Sequence, residues 1–372
     1  MTRRRAAILV LEDGRTFHGE AYGSVGETFG EAVFSSGMSG YQETLTEPAY
    51  HRQVLVQTAP HIGNTGVNSE DDGSDRIWVA GYVVREPTRI SSNWRATGGL
   101  EDRLAAEGVV GICGIDTRAL TRHLREQGTM RIGISSRDDD VPALLRRVRE
   151  APRLLGADLS AEVTTAEPYT VPADGERRFT VAALDLGLNR ALPRRLAARG
   201  VTTHVLPASA SLDELLAAGA DAVFLSPGPG DPAAAEHAVA LARDLLRRRV
   251  PLFGVGFGHQ IVGRALGFGT YQLRHGHHGI NQPVRDLATG RIELTRHSHD
   301  FAVEAPPQRV VETDFGGVEV SHVCLTDNVV EGLRAREVPA FTVQFHPEGA
   351  AGPHDADHLF DRFTALIEGR HA

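Results

Sequence analysis

Residues 251–267 read PLFGVGFGHQIVGRALG, and this stretch decides the fold of the second half of the chain. An apolar strand leads into the alternating glycines Gly254, Gly256 and Gly258. Helical periodicity then begins at His259. A strand that turns steeply into a helix at glycines is the outline used to expose a nucleophile above a helix N-terminus. The central position of this outline is Gly256, which has no side chain.

The chain before this stretch, from Phe179 onward, alternates strands with helices, as FTVAALDLG, LPRRLAARG, VTTHVLPA, SLDELLAAG and DAVFLSPGPGDP. Such alternation predicts a mostly parallel sheet covered by helices. SPGPGDP at 226–232 follows a buried strand in this pattern. Its glycine amides are therefore expected at the carboxyl end of the sheet, where oxyanions and ligand backbones commonly bind.

Farther along, the run FTVQFHPEGAAGPHDA places His346 and Glu348 two residues apart after a β-like segment. Residues at this spacing share one side of an extended chain, so the carboxylate is expected to hold the imidazole. The sequence therefore predicts a general base and its orienting group.

The N-terminal half differs, because residues 6–135 contain short β-like runs separated by Gly turns, with few helical patches. The clearest helix is expected from Asp116 to Gln127, with Asp116 as N-cap and Gly128 as the end. Residues 164–178 lose periodicity and carry two prolines. We therefore expect an N-terminal domain at 1–160, a linker at 161–178 and a C-terminal domain at 179–372.

Composition narrows the class of protein. The 372 residues are 41% hydrophobic with a net charge of −9, and all 39 basic residues are Arg. The absence of Lys excludes a Schiff-base lysine and a P-loop lysine, and the negative charge argues against a nucleic-acid partner. No apolar run reaches membrane-spanning length and the start lacks a signal-peptide core, so a cytoplasmic protein without a membrane partner is expected.

The chain resembles the small, glutamine-hydrolysing subunit family of carbamoyl phosphate synthetases. Its second half resembles a class I (triad) glutamine amidotransferase domain through SPGPGDP, GVGFGHQ, GHHGINQPV and FHPEGAAGPHDA. Its first half resembles that subunit's own N-terminal domain through FSSGMSGYQETLTEPAYHRQ, PHIGNTGVNSEDD, SNWRA and GIDTRALTRHLRE. The resemblance implies an α/β fold, with a β-rich mixed N-terminal domain and a C-terminal amidotransferase domain of mostly parallel sheet and flanking helices.

In this family a Cys at the elbow attacks the side-chain amide of glutamine, and a His held by a Glu sustains the thiolate. The resemblance assigns the Cys position to Gly256 and the pair to His346 and Glu348. It assigns glutamine contacts to Ala49, Gly228, Gly230, Phe257, Gln260, Ser298, Asp300 and Phe301. It implies no cofactor or metal in this chain. Ammonia would pass to a large subunit, contacted by the N-terminal domain and carrying ATP, magnesium and bicarbonate.

Several of these positions depart from the family pattern. Gly256 stands where the nucleophilic Cys is expected, and Pro227 replaces an Asn. Ser298 replaces an amide contact, Asp300 replaces a glycine, and Ala49 replaces a Ser. Because these substitutions fall on one pocket, we expect the glutaminase to be impaired or absent and L-glutamine to bind weakly or not at all.

Three interpretations stay open at this level. The first is a small chain whose complex uses free ammonia, in arginine or pyrimidine biosynthesis. The second is a non-catalytic regulatory or binding pseudo-amidotransferase with an altered ligand at Asp300. The third is a working glutaminase whose natural sequence has Cys at position 256. A metal site on His275, His277 and His278 is a separate alternative that the residue pattern permits.

Overall fold

The computed structural model describes residues 4–217 and 219–369, which form two compact units. Unit 1 comprises Met1–Leu154 and Arg274–Gly279, and unit 2 comprises Leu155–Leu273 and Ile280–Ala372. The structure differs from the expected linker at 161–178. That segment lies within unit 2 and includes a short strand, Tyr169–Val171, which pairs with the sheet edge and so satisfies its backbone groups there.

Unit 1 contains a closed barrel of seven strands in the order β1-β2-β8-β6-β4-β3-β9. The strands of unit 1 are β1 Ala6–Leu11, β2 Thr16–Gly23, β3 Glu27–Ser35, β4 Gln53–Gln57, β5 His61–Ile62, β6 Gly81–Val83, β7 Glu86–Pro87, β8 Val110–Cys113 and β9 Arg131–Ser135. Strands β5 and β7 pair with each other in a separate two-stranded sheet. Its helices are α1 Tyr41–Leu45, α2 Leu100–Ala106, α3 Thr117–Gln127 and α4 Val141–Glu150, with a 3-10 turn at Pro48–Tyr50.

Helix α3 begins and ends where the sequence predicts. The Asp116 side chain accepts a hydrogen bond from the Ala119 amide, and Gly128 follows the last turn with a φ of 96°. Leu120 and Leu124 are buried on one face, against the barrel core. Helix position in this unit therefore follows from capping chemistry and periodicity.

Unit 2 is built on one large sheet in the order β10-β12-β11-β13-β14-β20-β19-β18-β15-β16, with β17 paired to β18. Its strands are β10 Tyr169–Val171, β11 Phe179–Asp185, β12 Val201–Pro207, β13 Ala222–Leu225, β14 Leu252–Val255, β15 Gly269–Asp286, β16 Ile292–Glu304, β17 Val311–Thr313, β18 Gly316–Cys324, β19 Val330–Ala335 and β20 Ala340–Val343. Its helices are α5 Ser160–Val163, α6 Ala191–Ala197, α7 Leu212–Ala217, α8 Glu236–Arg247, α9 Phe257–Ala265 and α10 His358–Ile367.

Five neighbouring strands at the centre of this sheet, in the spatial order β12-β11-β13-β14-β20, are parallel. Each strand alternates between two cores, as Val181 faces one and Ala182 the other. Helices α7, α8 and α9 cover one face of the sheet, and α6 and α10 cover the other. The α/β class expected from the alternating pattern is confirmed. Among the described helices, none combines the length and apolar character needed to cross a membrane.

His259 and His322 are among the buried histidines of unit 2. His259 on α9 is fully buried beside Thr342, with 2.7 Å between Nδ1 and the hydroxyl oxygen, and His322 on β18 is 1% exposed. Burial disfavours the imidazolium form, which lowers the pKa of His259 to about 3 and that of His322 to about 4. Both rings are therefore neutral in the folded chain at pH values where an unfolded chain would protonate them.

This burial predicts acid sensitivity. As the pH falls below about 6.5, these two histidines bind protons in the unfolded chain but not in the folded chain. The free energy of unfolding therefore decreases toward pH 4. At pH 5 each ring costs about 2 kcal/mol relative to neutral pH, because one pH unit corresponds to about 1.4 kcal/mol. Urea unfolding of His259→Gln between pH 4 and 7 should therefore give a shallower pH slope than the parent chain.

The matched control is His237→Gln, because His237 lies exposed on α8 of the same unit. Its pH slope should equal that of the parent chain. An unchanged slope in His259→Gln would contradict the assignment of a buried neutral ring.

Candidate functional site

The elbow lies between β14 and α9 and consists of one residue. Gly256 has a φ of 59° and a ψ of −113°, and its amide donates to the carbonyl of Val343 over 2.9 Å. This backbone conformation is strained for residues with a side chain and is typical of a nucleophile elbow. The helix starts at Phe257, two residues before the expected start, because the turn is completed within Gly256.

The glycine after the elbow permits a close approach between elements. A Cβ on Gly258 would lie 2.2 Å from the carbonyl oxygen of Leu225 on β13, which no side chain tolerates. The Gly258 amide donates to the carbonyl of Ser226 over 3.0 Å. Helix α9 is therefore held directly against the end of β13 and the loop that follows it.

A side chain at the elbow would point toward that loop. A Cβ on Gly256 would lie 3.2 Å from the Cβ of Pro227 and 3.3 Å from its Cα. These separations are tighter than ordinary van der Waals contact, so a larger residue at 256 requires a small shift of Pro227. A side chain at position 256 would therefore contact Pro227 directly.

The glycines of SPGPGDP serve close packing within unit 2. A Cβ on Gly228 would lie 2.1 Å from the carbonyl oxygen of Leu186, and one on Gly230 would lie 2.6 Å from that of Ala157. Asp231 fixes the end of the loop, since its carboxylate accepts from the Gly156 amide. The loop therefore lies at the carboxyl end of β13, as the sequence predicts.

His346 and Glu348 follow β20 and form a buried pair. Nδ1 of His346 lies 3.0 Å from Oε1 of Glu348, and the His346 amide donates to the carbonyl of Arg296 on β16 over 2.9 Å. Because the carboxylate accepts, Nδ1 of His346 carries a proton, and Nε2 lies on the side of the ring away from Glu348.

Burial opposes the ionisation of Glu348, which is fully enclosed. The hydrogen bond and charge of His346, together with Arg296 at 3.8 Å, outweigh that effect and hold the pKa of the carboxyl below its usual value. The carboxylate is therefore charged at neutral pH and fixes the orientation of the imidazole.

Ser298 completes a hydrogen-bonded chain that the sequence does not reveal. Its Oγ lies 2.6 Å from Nε2 of His346, so the order of contacts is Ser298, His346, Glu348. Arg296 and Ser298 are two residues apart on β16, so their side chains lie on the same side of the strand. Both therefore reach the pair formed by His346 and Glu348. The serine hydroxyl therefore occupies the imidazole nitrogen that does not face Glu348.

The residues expected to contact glutamine lie in several elements of the two units. The side-chain amide of Gln260 donates to the carbonyl of Phe301 over 2.8 Å and lies 3.0 Å from Oε1 of Gln344. Phe257 is buried in the core beneath α9. Asp300 is 7% exposed on β16, two residues after Ser298. Ala49 is buried in the 3-10 turn Pro48–Tyr50 of unit 1.

The alternative histidine metal site is not formed by the three residues considered together. His275 lies against Phe34, with ring centroids 6.0 Å apart, and His278 lies against Tyr50 at 5.4 Å. Both rings are thus in aromatic contacts of unit 1. Alternation along the strand also places neighbouring side chains on opposite sides, which the sequence pattern alone did not take into account.

Neither cysteine offers an alternative thiolate. Cys113 on β8 and Cys324 on β18 are both buried, and burial raises the pKa of each thiol to about 11. Reactive cysteines have lowered pKa values, and neither of these thiols has one.

Comparison with known proteins agrees with this architecture. Residues 9–134 match the family described as carbamoyl-phosphate synthase small chain, CPSase domain, and residues 182–366 match glutamine amidotransferase class-I. The chain is 62% identical to a carbamoyl phosphate synthase small chain of Streptomyces coelicolor, over 99% of this chain and 98% of that protein. It is 56% identical to one of Mycobacterium tuberculosis, over 98% of each.

Proposed function

Because the chain belongs to the carbamoyl phosphate synthase small-chain family, we propose that it is the small subunit of a complex that forms carbamoyl phosphate from free ammonia. Its N-terminal domain binds a large subunit, which supplies the ATP, magnesium and bicarbonate chemistry. Its own glutaminase is lost. The observation that carries the proposal is the elbow at Gly256, where the backbone turn persists and the nucleophilic side chain does not.

The site keeps a general base but lacks the nucleophile that the base would activate. His346 is oriented by Glu348, so its Nε2 is ready to accept a proton. Amide hydrolysis through a covalent intermediate requires an attacking atom, and Gly256 provides only backbone. Ser298 occupies Nε2 instead, at 2.6 Å.

Glutamine binding is also weakened. Asp300 stands where the family has a glycine, in the region that receives the amino-acid part of glutamine. A carboxylate about 4 Å from the α-carboxylate of the substrate repels it by about 4 kcal/mol at an effective dielectric of about 20. Loss of the amide contact at Ser298 adds about 1 kcal/mol.

A regulatory pseudo-amidotransferase remains the second candidate, and Asp300 is the observation that favours it. A buried carboxylate in an amino-acid pocket suits a ligand with an amine and no α-carboxylate. Such a ligand would alter the rate of the partner subunit without being hydrolysed. The two candidates differ in whether the complex makes carbamoyl phosphate from ammonia without an added effector.

We expect the purified complex to form carbamoyl phosphate from ammonium and to use glutamine only at background rate. Loss of a nucleophile lowers turnover by on the order of 10⁶ in enzymes that depend on one. The measurement compares ammonium-driven and glutamine-driven synthesis, together with glutamate release.

His346→Asn and Ser298→Ala are the controls, and both should leave the background unchanged. Glutamate release that disappears in His346→Asn would contradict the loss of glutaminase. Release that disappears in Ser298→Ala as well would identify Ser298 as the attacking group.

Gly256→Cys should give a reactive thiol but poor glutamine turnover. The new thiolate would lie at the N-terminus of α9, where the helix dipole stabilises it, while the conformation at φ 59° costs about 1–3 kcal/mol. Iodoacetamide should label it at neutral pH faster than Gly269→Cys, an exposed position of the same unit. Adding Ser298→Asn and Asp300→Gly should restore glutamine-dependent synthesis. Full activity from Gly256→Cys alone would show that the pocket changes are neutral.

Trp94 is the best anchor for the large subunit in unit 1. Its side chain lies in the loop between β7 and α2 and is 92% exposed, and Ile90 in the same loop is 79% exposed. Tryptophan is enriched among the residues that dominate binding energy at protein interfaces. We therefore place the loop at the subunit interface.

Trp94→Ala should weaken association of the full chain with the large subunit about 30-fold, which corresponds to about 2 kcal/mol. The dissociation constant can be measured by biolayer interferometry. Ile292→Ala is the control, since Ile292 is a 56% exposed apolar residue of unit 2. Equal affinity for Trp94→Ala and the parent chain would remove this loop from the interface.

A further inference from the structure

Strand β16 carries a second cluster on the side opposite Ser298. Alternation along the strand places Thr295, His297 and His299 together, and Glu331 of β19 lies against the two imidazoles. His297 and Glu331 are fully buried and His299 is 6% exposed. The proposed function uses none of these side chains.

The three facing atoms form a small triangle. Nδ1 of His297 and Nε2 of His299 are 3.3 Å apart, and each lies 3.6 Å from Oε1 of Glu331. A triangle with these sides has its equidistant point about 2.0 Å from every corner, which is the Zn–N and Zn–O bond length. A contraction of a few tenths of an ångström would let an ion rise from the plane and take a fourth ligand.

Outer hydrogen bonds leave both facing nitrogens as lone pairs. Nδ1 of His299 lies 2.9 Å from the carbonyl of Phe301, so that nitrogen carries the proton and Nε2 does not. The Thr295 hydroxyl donates to the carbonyl of Gln282 and so accepts from Nε2 of His297, which leaves Nδ1 of His297 without a proton. Bonds of this kind commonly orient zinc-binding histidines.

The two imidazole nitrogens and the carboxylate oxygen lie within 3.6 Å of one another, close enough for all three to contact a single ion. We propose that His297, His299 and Glu331 bind a zinc ion through Nδ1, Nε2 and Oε1, with water as a further ligand. Two imidazoles and one carboxylate suit Zn²⁺ over Mg²⁺ or Ca²⁺, which prefer oxygen ligands.

The ion would have a structural effect on the neighbouring site. The carbonyl of Phe301 accepts from both Nδ1 of His299 and the amide of Gln260. Binding at His299 would therefore stiffen the part of β16 that carries Ser298. The inference does not depend on the proposed function, because it concerns other side chains and a readout without catalysis.

The test uses the untagged full chain, stripped with EDTA and dialysed against Zn²⁺, with bound metal measured by mass spectrometry. We expect about one tightly bound zinc ion per chain and an increase in melting temperature on zinc addition. Replacement by Co²⁺ should give the visible absorption of a four-coordinate ion with nitrogen and oxygen ligands, a readout that needs no variant.

His297→Gln and Glu331→Gln should each lose the ion, whereas His237→Gln, at an exposed position of α8, should keep it. Circular dichroism shows whether each variant folds. A parent chain that binds no stoichiometric zinc would overturn the proposal. The two facing nitrogens of His297 and His299 would then share a proton instead. Equal binding by folded Glu331→Gln and the parent chain would place the ion elsewhere and would also overturn it.

Discussion

The turn at Gly256 is the constraint on which unit 2 depends. One residue redirects the chain from β14 into α9, and its amide is bonded to Val343 at the end of β20. The next glycine, Gly258, lies on the backbone of Leu225 and bonds to Ser226. The ends of three parallel strands are thereby tied to one elbow, so the loops that follow β13 and β20 begin beside it.

Strand β16 then divides its side chains between two tasks. Residues at even numbers face the pair of His346 and Glu348, through Arg296 and Ser298. Residues at odd numbers face Glu331, through His297 and His299. A period of two residues is enough to place the contacts to His346 and Glu348 and a candidate zinc site on opposite sides of one strand.

Persistence of the base pair does not require catalysis. Glu348 is a fully buried charge stabilised by His346 and Arg296. Removing one partner of a buried charge pair typically costs about 3–5 kcal/mol, because the other charge is left uncompensated. The close glycine contacts of Gly228 and Gly258 are equally structural. These contacts stabilise the fold whether or not the site is catalytic, so their presence alone does not indicate activity.

The sequence by itself determined the α/β class, the elbow, the bounds of α3 and the spacing of His346 and Glu348, because periodicity, capping and turn chemistry are local. It did not determine that the segment at 161–178 adds a strand to the sheet edge, since pairing depends on a distant partner strand. It also missed the bond from Ser298 to His346 and the meeting of His297 and His299 with Glu331. Those contacts join residues more than 30 positions apart in the chain, and only the packing of β16 against the neighbouring strands brings their side chains within bonding distance.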